Sequence, residues 1–195
     1  MRRMPADPIR RFQRWYAAAR RTAMRLPDAM ALATVDGRGR PRVRMVLLKQ
    51  ADEDGFVFYT NARSPKGREL LTTGRAALVF YWEPLARQVR IEGRVRLVDP
   101  AEADAYWATR PRQSQLAALA SAQSAPLASR ALLLRRFHIL ARRYDGRPVP
   151  RPPYWTGFRI MPSAIEFWTE RPFRLHDREL FTRTAGGWKM MRLQP

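Results

Sequence analysis

The sequence predicts an α+β fold, with antiparallel strands closing into a barrel or sandwich and the helices gathered outside it. Three observations carry this. Short apolar segments recur between turn signals, as in all-β architectures. The joins between successive strands are too short for crossover helices, which forces antiparallel pairing. Helical periodicity is confined to the start of the chain and to one block at residues 100–145.

Taken in order, Asp7 as N-cap and Pro8 at the first helical position open a helix, along which Ile9, Phe12, Tyr16, Ala19 and Ala23 recur at three- and four-residue steps. Ala29–Val35 is an apolar strand, Asp36-Gly37 begins a turn through Gly39 and Pro41, and residues 42–49 return. Asp52-Glu53-Asp54-Gly55 turns the chain into a strand at 56–60. Ser64 caps a short helix over 64–72 that starts with Pro65. Strands Arg75–Trp82 and 87–98 are separated only by Glu83-Pro84-Leu85 and therefore pair antiparallel. Helices follow at Pro100–Thr109, 111–120 and 127–144, the last with Leu133, Phe137, Leu140 and Tyr144 as its apolar stripe. Residues 146–153 carry four prolines and form a stiff connector. Strands at 154–160, 164–168, 174–183 and 188–193 complete the sheet. A single domain over 1–195 is expected, with a basic N-terminal helix region (1–25), a helical insertion (100–145) and C-terminal strands (154–195) too few to form a stable sheet alone.

Composition narrows the chemistry. Cysteine is absent, which excludes disulfides, thiolate nucleophiles and cysteine-held metals. His138 and His176 are the only histidines, too few for a multi-histidine metal site, and His138 reads as structural. No apolar run approaches the ~20 residues of a membrane span, and the N-terminus lacks the apolar core of a signal peptide. A soluble, cytoplasmic protein is expected. The net charge is +20, with 37 Lys+Arg against 17 Asp+Glu. Only three of the 37 are lysines (Lys49, Lys66, Lys189), leaving 34 arginines. Such a charge suggests a nucleic-acid partner, but 13 of the 20 net charges lie in residues 1–25 and 127–151, two amphipathic helices whose arginines can simply face water. No zinc-finger or RNA-recognition signature accompanies them.

The usual catalytic motifs (G-x-S-x-G, the P-loop, G-x-G-x-x-G, H-E-x-x-H) are missing. Groups suited to anions remain. Arg44 and Lys49 flank an apolar strand segment on opposite faces. Lys66 lies in the first turn of a helix, where a cation opposes the helix dipole unless a phosphate sits there. Tyr106, Arg110 and Ser114 share one helix side if Pro111 only kinks the helix, and either clamp a phosphate or cap helix ends. Arg174, His176 and Arg178 fall on one strand face at period two, an arrangement that calls for an anion or acid opposite.

The motifs RMVLLK (44–49), FYTN (58–61), RQVRIEG (87–93), RPRQSQ (110–115), QS (123–124), IEFW (165–168) and RLHDR (174–178), in this order, span nearly the whole chain, and the sequence resembles the pyridoxine/pyridoxamine 5′-phosphate oxidase family. The resemblance implies an FMN-binding split β-barrel with peripheral helices, a homodimer with FMN at the subunit interface, and no nucleic acid or membrane partner. It implies FMN contacts from Arg44, Met45, Val46, Leu47, Leu48, Lys49, Tyr59, Thr60, Lys66, Gln88, Gln123, Ser124, Trp168 and Arg178. Substrate contacts are implied for Lys49, Tyr106, Arg110, Ser114, Arg174, Leu175 and His176, with Arg174 and His176 nearest the chemistry. The implied reaction is oxidation of pyridoxamine or pyridoxine 5′-phosphate to pyridoxal 5′-phosphate. Oxygen is the acceptor and peroxide the by-product, and the amine substrate also releases ammonia. Three features depart from the family: Pro65 replaces a phosphate-binding arginine, Thr156 replaces a glycine, and an Arg-Glu-Tyr lid segment has no counterpart, so a different lid is expected. Rival readings are a related FMN oxidase on a phenazine-type ring, a basic nucleic-acid-binding module, and a flavin or vitamer carrier without turnover.

Overall fold

The computed structural model describes residues 7–195; the expectations for Arg2, Arg3 and the rest of 1–6 lie outside it. Helix α1 (Pro8–Ala19) is capped by the Asp7 carboxylate, which accepts from the Ile9 and Arg10 amides. It ends at Ala19, so Ala23, expected on its apolar stripe, lies beyond it and is exposed. The strands are β1 (Ala29–Val35), β2 (Pro41–Leu47), β3 (Gln50–Asp52), β4 (Gly55–Asn61), β5 (Arg75–Trp82), β6 (Arg87–Leu97), β7 (Trp155–Thr169), β8 (Asp177–Thr184) and β9 (Gly187–Leu193). Helix α2 (Pro65–Thr73) joins β4 to β5; α3 (Pro100–Thr109), α4 (Arg112–Ala120) and α5 (Arg130–Arg143) lie between β6 and β7.

All strand pairs are antiparallel, in the order β2-β1-β5-β6-β7-β4-β3, with β8 on β7 and β9 on β8. The sequence suggested two strands at 154–160 and 164–168; the structure has one. β6 follows one edge of β7 from Phe158 to Thr169. On the other edge β4 pairs with Trp155–Ile160 and β8 with 164–169. This change of partner splits the barrel. Pro162, which reads as a strand breaker, is tolerated because it sits between those partners and opposite the bulge at Glu92/Gly93. Gly93 is required there, since a Cβ would lie 2.2 Å from the Met161 carbonyl oxygen.

The core is aromatic. Phe12, fully buried, meets Phe56 and Phe80 edge-on at 4.8 and 5.0 Å and Trp82 at 5.7 Å, so α1 plugs the barrel. The Trp82 indole donates to the Pro27 carbonyl at 2.9 Å. Arg11 breaks the expectation that the α1 arginines face water: its guanidinium lies 4.4 Å from the Phe167 ring and pairs with Glu179 at 2.5 Å. Arg10, Arg14 and Arg20 are exposed. The α5 stripe of Leu133, Phe137, Leu140 and Tyr144 is only half-buried. Among the described residues no helix is long and apolar enough to cross a membrane. Phe12→Ala is expected to lower stability by about 3–5 kcal/mol, read as a reduced urea midpoint with little change in slope.

Candidate functional site

One cleft of about 450 Å³ gathers most of the residues singled out from the sequence: Met45, Val46 and Leu47 of β2, Lys49, Tyr59 and Thr60 of β4, Lys66, Tyr106, Arg110, Ser114 and Gln123. Thr109, Pro111 and Trp155 also line it and were not anticipated. Trp155 was missed because its position is set by stacking across the sheet, which no local spacing reports; its place two residues after the proline connector was the available signal.

The cleft wall is a stack. The Tyr59 and Tyr106 rings lie 4.0 Å apart at 12°, and Tyr59 and Trp155 lie 5.2 Å apart at 8°. Tyr59 faces Gly157 in the ladder, and a Cβ there would be 2.8 Å from the Tyr59 ring and 2.8 Å from a Val98 methyl. Gly157 therefore keeps the space that lets Tyr59 lie flat, while Thr156 replaces a neighbour with no such demand. Burial, followed by the nearby Glu102 carboxylate and Tyr106, pushes the Tyr59 phenol up to about 12, so it stays a neutral donor at physiological pH.

Three cationic side chains line the cleft, two of them without a carboxylate ion pair among the described residues. The Lys66 amine donates to Gln123 Oε1 at 3.0 Å and to Thr60 Oγ1 and Ser64 Oγ at 3.3 Å. Ser64 Oγ caps α2 by accepting from the Gly67 amide. Burial and then Arg44 lower the Lys66 pKa, with Glu69 opposing them. A cation held only by neutral oxygens at a helix N-terminus is suited to a phosphate. The second position is Arg110, stacked 4.5 Å over Trp155, with Nη2 donating to the Ser114 carbonyl at 3.3 Å. Pro111 does not kink one helix, as the Tyr106–Arg110–Ser114 spacing assumed; it separates α3 from α4 as the N-cap of α4. The three side chains still line one cleft, because the non-helical backbone at Arg110 and Pro111 redirects the chain between α3 and α4. Lys49 borders the cleft and pairs with Asp28 at 3.2 Å.

Other candidates lie elsewhere. Leu48 is buried in the core. Arg44 turns inward, donating to the Thr34 hydroxyl and to Glu69 at 3.2 Å. Ser124, with φ 68°, borders a neighbouring cavity of about 680 Å³ that also touches Gln123. Gln88 pairs with Trp168 across β6 and β7, and the Trp168 ring lies 4.6 Å from His176. His176 and Arg178 border a third cavity, of about 630 Å³, that shares no residue with the first cleft. Arg178 is fixed by Glu166 at 2.8 Å, which raises its pKa further, and by the Gln194 carbonyl at 3.0 Å. The expected strand face of Arg174, His176 and Arg178 is corrected: β8 starts only at Asp177, and Arg174 ends a 3-10 turn (Pro172–Arg174). Phe173 and Arg174 have φ of 58° and 59°, an unfavourable region for side-chain-bearing residues, so period-two alternation does not apply. Arg174 and Leu175 are exposed.

Fold and cleft together define a split-barrel protein with one cationic, aromatic-walled cleft. Similarity to known proteins gives the family. A model described as pyridoxamine 5′-phosphate oxidase matches residues 17–141, and one described as the pyridoxine 5′-phosphate oxidase C-terminal dimerisation region matches 155–195. Proteins named pyridoxine/pyridoxamine 5′-phosphate oxidase are similar to the chain: one from Rubrobacter xylanophilus at 55% identity, covering 97% of this chain and 87% of that one, and one from Gluconobacter oxydans at 52%, covering 98% and 96%. The crystal structure of PhzG from Burkholderia lata in complex with tetrahydrophenazine-1-carboxylic acid superposes with a TM-score of 0.93 at 35% identity, covering 98% of this chain and 94% of that one. The chain belongs to the pyridoxine/pyridoxamine 5′-phosphate oxidase family.

Gly157→Ala is expected to displace the Tyr59 ring and cost about 1–3 kcal/mol. A loss of near-ultraviolet aromatic dichroism together with a lower melting temperature would register it; an unchanged spectrum would contradict the steric argument.

Proposed function

We propose that the chain is an FMN-dependent oxidase of phosphorylated B6 vitamers, converting pyridoxamine and pyridoxine 5′-phosphates to pyridoxal 5′-phosphate with oxygen as acceptor. The observation that carries this is the pair of separate cationic positions, Lys66 and Arg110, on one aromatic-walled cleft. A cofactor phosphate and a substrate phosphate need two such positions. FMN is the cofactor, in keeping with the family. The residues fit it: Lys66, Thr60 and Gln123 offer the phosphate an ammonium with a hydroxyl and an amide beside it, while Met45, Val46 and Leu47 expose strand backbone and apolar surface along the cleft. When bound, FMN would supply the two-electron acceptor for oxidation at the substrate's amine- or alcohol-bearing carbon. Arg110, Tyr106, Ser114 and Lys49 hold the substrate phosphate and so align that carbon.

Arg174, Leu175, His176, Gln88, Trp168 and Arg178 act from a second copy of the chain. Trp155 and Trp168 stand at opposite ends of β7, roughly 40 Å apart along an extended strand, farther than a mononucleotide and its substrate extend. Residues 155–195 match a dimerisation region, and Met45 and Leu47 of edge strand β2 expose apolar side chains. A homodimer with the cleft of one protomer facing the Arg174 turn of its partner joins the two groups.

A phenazine-type substrate is the second reading, supported by the PhzG likeness at 35% identity; the vitamer reading is supported by relatives at 52–55%. Comparing turnover of pyridoxamine 5′-phosphate with that of a reduced phenazine carboxylate decides between them, with aldehyde and peroxide as readouts. A protein that stays colourless after FMN addition would falsify both.

Two outcomes follow for single residues. Arg174→Ala is expected to cut turnover more than ~10-fold with FMN still bound and the dimer intact; near-normal turnover removes Arg174 from the site. For Lys66, loss of a charge-assisted contact is expected to weaken FMN about 10- to 100-fold in Lys66→Met. Because burial and Arg44 lower its pKa, the ammonium is lost at a lower pH than that of an ordinary lysine. FMN affinity should therefore fall on the alkaline side in the native protein and stay flatter there in Lys66→Met, as measured by flavin fluorescence titration.

A further inference from the structure

Behind the cleft lies a buried carboxylate to which no role has yet been assigned. Glu69, on α2 one turn beyond Lys66, is 6% exposed. The Thr34 hydroxyl, itself 2% exposed, donates to Glu69 Oε2 at 2.5 Å. Arg44 Nη2 lies 3.2 Å from the same oxygen, and Arg42 Nε lies 3.4 Å from Oε1. Arg44 also donates to the Thr34 hydroxyl and, at 3.3 Å, to the Leu32 carbonyl. Arg40 takes up Asp36 at 2.8 Å and Arg42 is 3.8 Å from that carboxylate, so Glu69 is the nearer partner of Arg42. Two strands (β1 and β2) and one helix thus converge on one carboxylate.

We propose that Glu69 is the positioning residue of the phosphate cradle: it fixes Arg44 beside Lys66 and holds the cations together before the cofactor arrives. This rests on the FMN reading above. The charge count favours it. Arg40, Arg42, Arg44 and Lys66 against Asp36 and Glu69 are four cations and two carboxylates, leaving two positive charges. A phosphate monoester carries about −1.5 to −2 at pH 7, so the cradle with Glu69 in place matches one phosphate. Without Glu69 the half-buried Arg44 loses its carboxylate partner and Arg42 keeps only Asp36 at 3.8 Å, a costly arrangement. Thr34 adds direction: its hydroxyl donates to Glu69 and accepts from Arg44, locking the relative orientation of both.

Two variants separate charge from geometry, each compared with the native dimer by FMN titration and thermal melting with and without FMN. Glu69→Gln keeps shape and removes charge. Its FMN-free melting temperature is expected to drop by several degrees, its rise on adding FMN to exceed the native rise, and its FMN dissociation constant to depend more steeply on salt. Thr34→Val keeps the charge and removes the hydroxyl; FMN affinity is expected to fall about 5- to 10-fold with the salt dependence unchanged. If Glu69→Gln shows the native FMN-induced rise and the native salt dependence, Glu69 only packs α2 and the proposal fails. It fails equally if Glu69→Gln does not fold and Thr34→Val binds FMN as tightly as the native chain. Failure of the native protein itself to bind FMN would instead overturn the cofactor reading.

Discussion

The long strand β7 is the constraint on which the molecule depends. It is the only described strand with three partners, and the exchange from β4 to β8 at Pro162 turns a continuous sheet into a split one. Its first half supplies Trp155 to the cleft and Gly157 to the Tyr59 ring; its second half supplies Trp168 beside His176 and Glu166 to Arg178. A strand cannot fold back on itself, so the two functional groups stay at opposite ends of one protomer. Buried Ile160, Ile165 and Phe167 anchor both halves in the same core. Shifting the register by one residue would turn that core face outward and move every site residue with it.

Charge is organised on a smaller scale than the +20 total suggests. Buried acids each gather two guanidinium groups: Glu69 takes Arg42 and Arg44, and Glu166 takes Arg90 and Arg178. Arg159, 5% exposed, reverses the pattern by joining Asp52 and Glu102. Removing one member of such a set strands a buried charge, which costs more than any exposed pair contributes. The scarcity of acids therefore concentrates their influence, and the Lys66 amine, bonded to neutral oxygens, keeps its charge available to a ligand.

Local rules made much of this legible in the sequence. Asp7 and Ser64 cap helices as their residue types require, and the three-residue join at Glu83–Leu85 does produce an antiparallel pair. The failures lie where tertiary context overrides a local signal. Pro162 reads as a break, but lies where no neighbouring strand needs its amide. Leu48 belongs to a functional motif by position and to the core by packing. Ala23 continues a helical period that the chain abandons four residues earlier. The Arg174–Arg178 segment alternates on paper, whereas left-handed backbone at Phe173 and Arg174 cancels the alternation. Residues of the β2, β4 and α3–α4 motifs meet at one cleft, each motif being contiguous in sequence. The stacking of Trp155 and the convergence on Glu69 are long-range and have no sequence period.

The Phe173–Arg174 turn has a thermodynamic consequence. Two adjacent left-handed residues cost on the order of 1–3 kcal/mol each, and the cost is borne when the chain folds. The turn is held from within: Arg171 pairs with Asp177 at 2.6 Å, its amide donates to His176 Nδ1 at 3.2 Å, and the Leu175 amide bonds to the Pro172 carbonyl. Its backbone entropy is therefore surrendered before any second molecule is met. The exposed Arg174 and Phe173, the latter 92% accessible, are displayed on a preformed scaffold, and association has only side-chain freedom left to restrict.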